Sequence, residues 1–108
     1  MSNLITAVQQ YLATLDDAVP EFLPAELAKL PLHLRNRYSF LKGMLFGHEW
    51  VLAIEGEEWE QGTPTEYRKQ VQILASHAQA PVAVVFRTIT STLRNRLIRA
   101  KIPFIVPK

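Results

Sequence analysis

Residues 82–86 read Val-Ala-Val-Val-Phe, a run behind Pro81 with no polar side chain in it. A strand with one wet face alternates polar and apolar residues, so an unbroken apolar run is expected of a strand covered on both faces. Downstream, Thr90 or Ser91 caps a helix running to about Ala100, with Leu93, Leu97 and Ala100 on its inward stripe. Pro103 stops that helix, and Phe104-Ile105-Val106 supplies a second buried strand. Strand 82–86, helix 91–100 and strand 104–106 therefore form a βαβ unit, expected to be parallel and right-handed.

The period changes upstream. From Tyr38 it is two, with Phe40, Lys42 and Met44 on one side and Leu41, Gly43 and Leu45 on the other. Phe46-Gly47-His48-Glu49 reads as a turn into the strand 50–54, which makes an antiparallel hairpin. Thr63-Pro64-Thr65-Glu66 is a capping box with proline at the first helical position. The helix it opens runs to about Ala78 and buries Tyr67, Val71, Leu74 and Ala78. At the amino terminus Leu4, Ile5, Val8, Leu12 and Leu15 form one stripe of a helix over 3–15, with Ser2 as N-cap. Asp16, Asp17 and Pro20 end it. Between Ala18 and Leu34, three prolines suggest a crossing segment with a short helix near 24–30. The expectation is one α/β (α+β) domain over 1–108, a four-stranded mixed sheet with an amino-terminal helix, a hairpin and a carboxy-terminal βαβ unit. A buried strand ending at Val106, two residues before the last, is expected of an amino-terminal fragment of a longer protein, although a natural domain can end so too.

Composition narrows the class. An apolar fraction of 48% with 20% charged residues suits a folded chain and argues against disorder. With no cysteine, disulfides, zinc-thiolate sites and a thiol nucleophile are excluded together. The first residues lack the basic and apolar segments of a signal peptide. The longest apolar runs, 50–54 and 80–86, fall far below the roughly 20 residues that span a bilayer. A cytoplasmic location is expected.

Charge is strongly segregated. The last acidic residue is Glu66, and residues 67–108 carry eight bases and a net charge of +8. Residues 1–66 hold ten acids against Lys29, Arg35, Arg37 and Lys42, a balance of −6. Such asymmetry speaks to partners, not to fold. Its densest part is the helix 91–101, where Arg94, Arg96, Arg99 and Lys101 fan around the inward stripe with no acid on the same element. Guanidinium groups fork onto phosphates, so a nucleic-acid backbone is one partner; an acidic protein surface is another. A solvated face whose arginine stems cover apolar surface is the third reading, with Arg94 and Lys101, nearest the stripe, the structural members.

Catalytic chemistry finds little support. His33, His48 and His77 lie in different elements, without a second ligand at metal-binding spacing. Glu55, Glu57, Glu58 and Glu60 crowd a loop around Trp59, but the spacing is not that of a calcium loop, and a solvated acidic loop is expected. A metal-dependent nuclease would need a lysine soon after Glu55, and none comes before Lys69. The four glycines make no phosphate cradle, and Ser39, Ser76 and Ser91 have no nucleophile context. No catalytic residue, metal or cofactor is assigned, and the chain is read as no enzyme.

One resemblance adds to this. The segments 81–86, 93–98 and 101–108, with Tyr38-Ser39-Phe40-Leu41-Lys42-Gly43 and Phe46-Gly47 upstream, resemble a block in bacterial winged-helix transcriptional regulators of the MarR-like kind. The likeness spans roughly 38–108 and is most specific over 94–107. In those proteins the α/β region comes first and the DNA-reading winged helix follows. Helix 91–100 lies between two strands and is no recognition helix, so no DNA-reading residue carries over. The resemblance implies a non-enzymatic sensing, docking or dimer-forming domain of a transcription regulator. It implies protein partners for this chain and DNA contact through a separate winged helix.

Overall fold

The structure, a computed structural model, describes residues 2–14, 22–27, 29–56 and 59–107, with side chains from residue 6 onward. In chain order the elements are α1 (Ser2–Ala13), β1 (Phe22–Ala25), α2 (Leu32–Arg37), β2 (Tyr38–Leu45), β3 (His48–Glu55), α3 (Pro64–Ala78), β4 (Val82–Val85), α4 (Ser91–Arg99) and β5 (Phe104–Ile105). One mixed sheet runs in the order β1-β2-β3-β4-β5. The first three strands are an antiparallel meander, and β3, β4 and β5 are mutually parallel. The chain thus builds two successive βαβ units, through α3 and then through α4.

The sheet is covered on both faces, as the run at β4 demanded. On one face Tyr38, Phe40, Val51, Ala53, Val82 and Val84 pack with Leu34 of α2, Tyr67 and Leu74 of α3, and Leu97 of α4. The other face, with Leu41, Leu45, Leu52, Ile54, Ala83 and Val85, packs beneath Val8 and Leu12 of α1. All four residues of β4 are buried. Within α3, Tyr67 and Leu74 are buried while Val71 and Ala78 are half-buried against the same cluster.

Local signals explain most boundaries. Thr63 and Glu66 form the reciprocal capping box, Glu66 N donating to Thr63 Oγ1 at 3.2 Å. Thr90 caps α4 by accepting from Leu93 N at 3.1 Å. The end of α4 is a Schellman turn, in which Lys101 N donates to Ile98 O and Ile102 N to Leu97 O. Leu97 and Ile102 share the core beneath it.

Four expectations need correction. The sheet has five strands, not four, because Phe22–Ala25 pairs with β2 along its free edge. Pro24 therefore lies in a strand, and the short helix is Leu32–Arg37, beginning after Pro31, instead of 24–30. An edge strand tolerates proline where the missing N–H would face away from the ladder and is not needed. The hairpin turn is Phe46-Gly47 alone, with both residues at positive φ as a type I′ turn requires, so His48 and Glu49 belong to β3. Helix α1 already contains Ser2 and closes at Ala13; the side chains of Ser2, Leu4 and Ile5, and residues Leu15, Asp16, Asp17 and Pro20, lie outside the described residues.

Candidate functional site

Two clusters of polar side chains invite a functional reading. One is the basic helix. Its inward stripe forms as expected: Leu97 is buried, and Leu93 and Ala100 are half-buried against the core. Arg94, Arg96, Arg99 and Lys101 are all exposed. Ion pairing among the described residues joins early acids to early bases, Glu55 to Arg37 and Glu49 to Lys42, and leaves these four cations unpaired. The charge segregation of the sequence is thus kept at the surface.

The cations do not form one patch. At about 100° per residue, Arg94 and Ile98 fall on one flank of α4, and Arg96 and Arg99 on the other. Arg94 and Ile98, the latter 55% exposed, line a trough with β5. Arg94 and Lys101, nearest the stripe, are both exposed, and Arg94 lies beside Ile98 and Phe104 in the trough. Lys101 sits beyond the helix, as the left-handed residue of the Schellman turn with φ of 58°. That position favours glycine, because Cβ crowds the backbone there. The helix dipole favours cations in the last turn, which accounts for Arg96 and Arg99 by about 0.3–1 kcal/mol each. It gives no reason for Arg94, three residues from the start of α4.

The other cluster lies where the acidic loop leaves β3. Glu55 is not a solvated loop carboxylate: it ends the strand, and its side chain is 8% exposed. Arg37 donates to Glu55 Oε2 from Nε at 2.7 Å, and its Nη2 lies at 2.7 Å from the same oxygen. Tyr67 Oη donates to Glu55 Oε1 at 3.0 Å and accepts from Gly62 N at 2.9 Å. Arg37 also donates to Glu60 O at 3.2 Å and stacks under Trp59, 5.4 Å from the ring centroid. Burial pushes the Tyr67 phenol up to about 12; the hydrogen bond from Gly62 N pulls it down, and the charge and hydrogen bond of Glu55 add to the rise. Tyr38, buried beside the same carboxylate and donating to Gln70 Oε1, is shifted upward as well. Burial opposes the charge on Arg37, but its hydrogen bond and ionic contact with Glu55 together outweigh it.

This cluster borders a cleft of about 350 Å³ at the carboxyl ends of β3 and β4, lined by Glu55, Trp59, Gln61, Phe86, Arg87 and Thr88. Open α/β sheets commonly bind ligands at such ends. Here, however, the polar groups are spent on one another. Gln61 Nε2 donates to Thr88 O at 2.7 Å, bridging the two loops, and Glu55 is saturated by Arg37 and Tyr67. The arrangement is a clasp that fastens the segment after β3 to α2 and α3.

Sequence reasoning missed the Arg37–Glu55–Tyr67 contact. A signal was present: a two-residue turn at Phe46-Gly47 pairs Tyr38 with Glu55, which sets Arg37 beside the end of β3. A four-residue turn slides the pairing by two positions and hides it. Histidines 33, 48 and 77 lie in α2, β3 and α3, and no group of three potential metal ligands forms among the described residues. Trp59 is exposed, and Trp50 is half-buried against the α1 face of the sheet. No helix among the described residues is long and apolar enough to cross a membrane. No family model, curated protein or solved structure matches the chain.

Proposed function

We propose that this chain is a non-enzymatic interaction domain, the regulatory part of a bacterial transcription regulator, and that it docks an acidic partner through α4. The observation carrying this reading is the set of three exposed arginines on α4, with Lys101 in the turn behind them, all unpaired among the described residues while Leu97 anchors the helix to the core. Cations arranged this way raise the encounter rate with an acidic surface and fix its register. Lys101 supports the reading from a second direction, since a glycine there would relieve backbone crowding at the expense of a charge.

A salt titration tests it. Binding of polyglutamate, a minimal acidic partner, is expected at low salt, weakening as salt rises and disappearing in the Arg94→Glu/Arg96→Glu/Arg99→Glu triple variant. Binding that ignores salt or the triple substitution overturns the proposal.

Direct phosphate binding is the second reading, favoured by the adjacent guanidiniums of Arg96 and Arg99. It requires duplex DNA to bind the isolated chain with log K falling by about 0.9 per log unit of salt for each phosphate contacted. The docking reading requires little DNA affinity, with DNA contact left to another part of the regulator.

A further inference from the structure

Strand β5 is one of the two edge strands of the sheet, β1 being the other, and it lies in a trough of about 580 Å³. One wall is α4, through Arg94 and Ile98; the other is α1, through Tyr11; the floor is Phe104, Ile105 and Val106. The backbone direction of that floor follows from two hydrogen bonds. Val84 N donates to Pro103 O and Phe86 N donates to Ile105 O, so both carbonyls point at β4. Every peptide bond described is trans, so the N–H groups of Phe104 and Val106, on the opposite side of those planes, point away from the sheet into the trough. Among the described residues neither N–H has a partner.

An unpaired edge with helical walls on both faces is a template for one more strand. Side chains of an added strand alternate between the walls. Those facing α1 meet Tyr11 and Ile105, an apolar surface; those facing α4 meet Ile98 and the Arg94 guanidinium. We propose that this trough accepts an extended segment of a partner protein, with aliphatic residues alternating with glutamate or aspartate, as a strand added to β5. The proposal rests on the docking function above and identifies the partner's chemistry. Charge complementarity selects this occupant over a second copy of the chain. A two-fold pairing of β5 with β5 would bring two Arg94-bearing α4 helices side by side on one face of the joined sheet, with like charges opposed. The helix dipole gives no reason for Arg94 at its position in α4, and a carboxylate in the trough does.

Titration of the full chain with a peptide of about six residues alternating valine and glutamate tests this, read by amide shifts and exchange protection. Expected are saturable binding, new protection of the Phe104 and Val106 amides, and weakening by about tenfold or more in Arg94→Glu. Val106→Pro, which removes one edge N–H and leaves the ladder to β4 intact, is expected to weaken binding similarly. Ile98→Glu, at an exposed position, gives a second variant should the proline perturb folding, and is expected to repel the peptide. Equal binding of a valine–lysine peptide, or binding indifferent to all three variants, overturns the inference. Polyglutamate binding that is lost in Arg96→Glu/Arg99→Glu but untouched by Val106→Pro and Ile98→Glu overturns it while leaving the docking function standing. Binding of neither ligand removes both. A dimer in sedimentation that dissociates on Val106→Pro overturns the choice of occupant.

Discussion

Removing the Glu55 carboxylate is the sharpest test of the clasp. In Glu55→Ala, Arg37 loses its Nε contact and its Nη2 contact, both at 2.7 Å, and Tyr67 loses its acceptor at 3.0 Å. The Arg37 side chain, 13% exposed, keeps Glu60 O at 3.2 Å and the faces of Trp59 and Tyr38 among the described residues. Hydrogen bonds to charged groups contribute about 1.5–3 kcal/mol each, but three on one carboxylate are not additive. Leaving a buried charge without its partner costs about 3–5 kcal/mol, and Arg37 is only partly buried. The residual contacts place the expected loss near the lower end, about 3 kcal/mol, a large share of the 5–15 kcal/mol typical of a domain. Glu55→Gln retains one acceptor and should lose about half as much. The double variant Arg37→Met/Glu55→Leu removes both charges and should recover most of the loss, ending within about 1 kcal/mol of the parent. Urea denaturation followed by circular dichroism reads all three as midpoint shifts at constant slope. A loss below about 1 kcal/mol for Glu55→Ala, or a double variant less stable than Glu55→Ala, would refute the clasp.

Other outcomes follow from the backbone and the phenols. Lys101→Gly should raise stability by about 0.5–1 kcal/mol, because glycine adopts the left-handed Schellman position without Cβ crowding; an unchanged denaturation midpoint would count against it. Phe46→Asn should likewise stabilise the type I′ turn by about 0.5–1 kcal/mol, since asparagine tolerates positive φ better than phenylalanine. Alkaline titration should lower stability. The unfolded phenol ionises near its ordinary value of about 10 while folded Tyr67 holds its proton to about 12, so the folded state binds more protons across that window. The contribution is intact below pH about 10 and is lost as pH rises through about 12; Tyr38 acts in the same direction. Phenolate absorbance recorded beside circular dichroism checks this, and Tyr67 ionising near 10 without loss of fold would contradict it.

How much was legible in the sequence differs element by element. Helix α3 was readable to the residue, because Thr63, Pro64 and Glu66 settle its start through contacts within four residues. Strand β4 and helix α4 were readable because burial on two faces and on one stripe leave distinct apolar periods. The two-layer requirement of 82–86 is met by α1 on one side and α3 and α4 on the other. Strand β1 was not legible: Phe-Leu-Pro-Ala has no strand pattern of its own, and it becomes a strand because β2 offers an unpaired edge. The same limit hid the clasp and divided the basic helix. Periodicity places Arg94, Arg96, Arg99 and Lys101 outside the core, but whether each meets an acid, a trough or solvent depends on distant elements.

The amino-acid order by itself determined what short-range physics decides: helix caps, apolar periods, the segregation of charge, and the absence of cysteine chemistry. Tertiary structure alone decided which segments meet. It brought Arg37 to Glu55 across 18 positions and left β5 as an open edge between α1 and α4. The physical reason is that pairing across a sheet is chosen by competition among all available edges and faces, and no local stretch of chain carries that information.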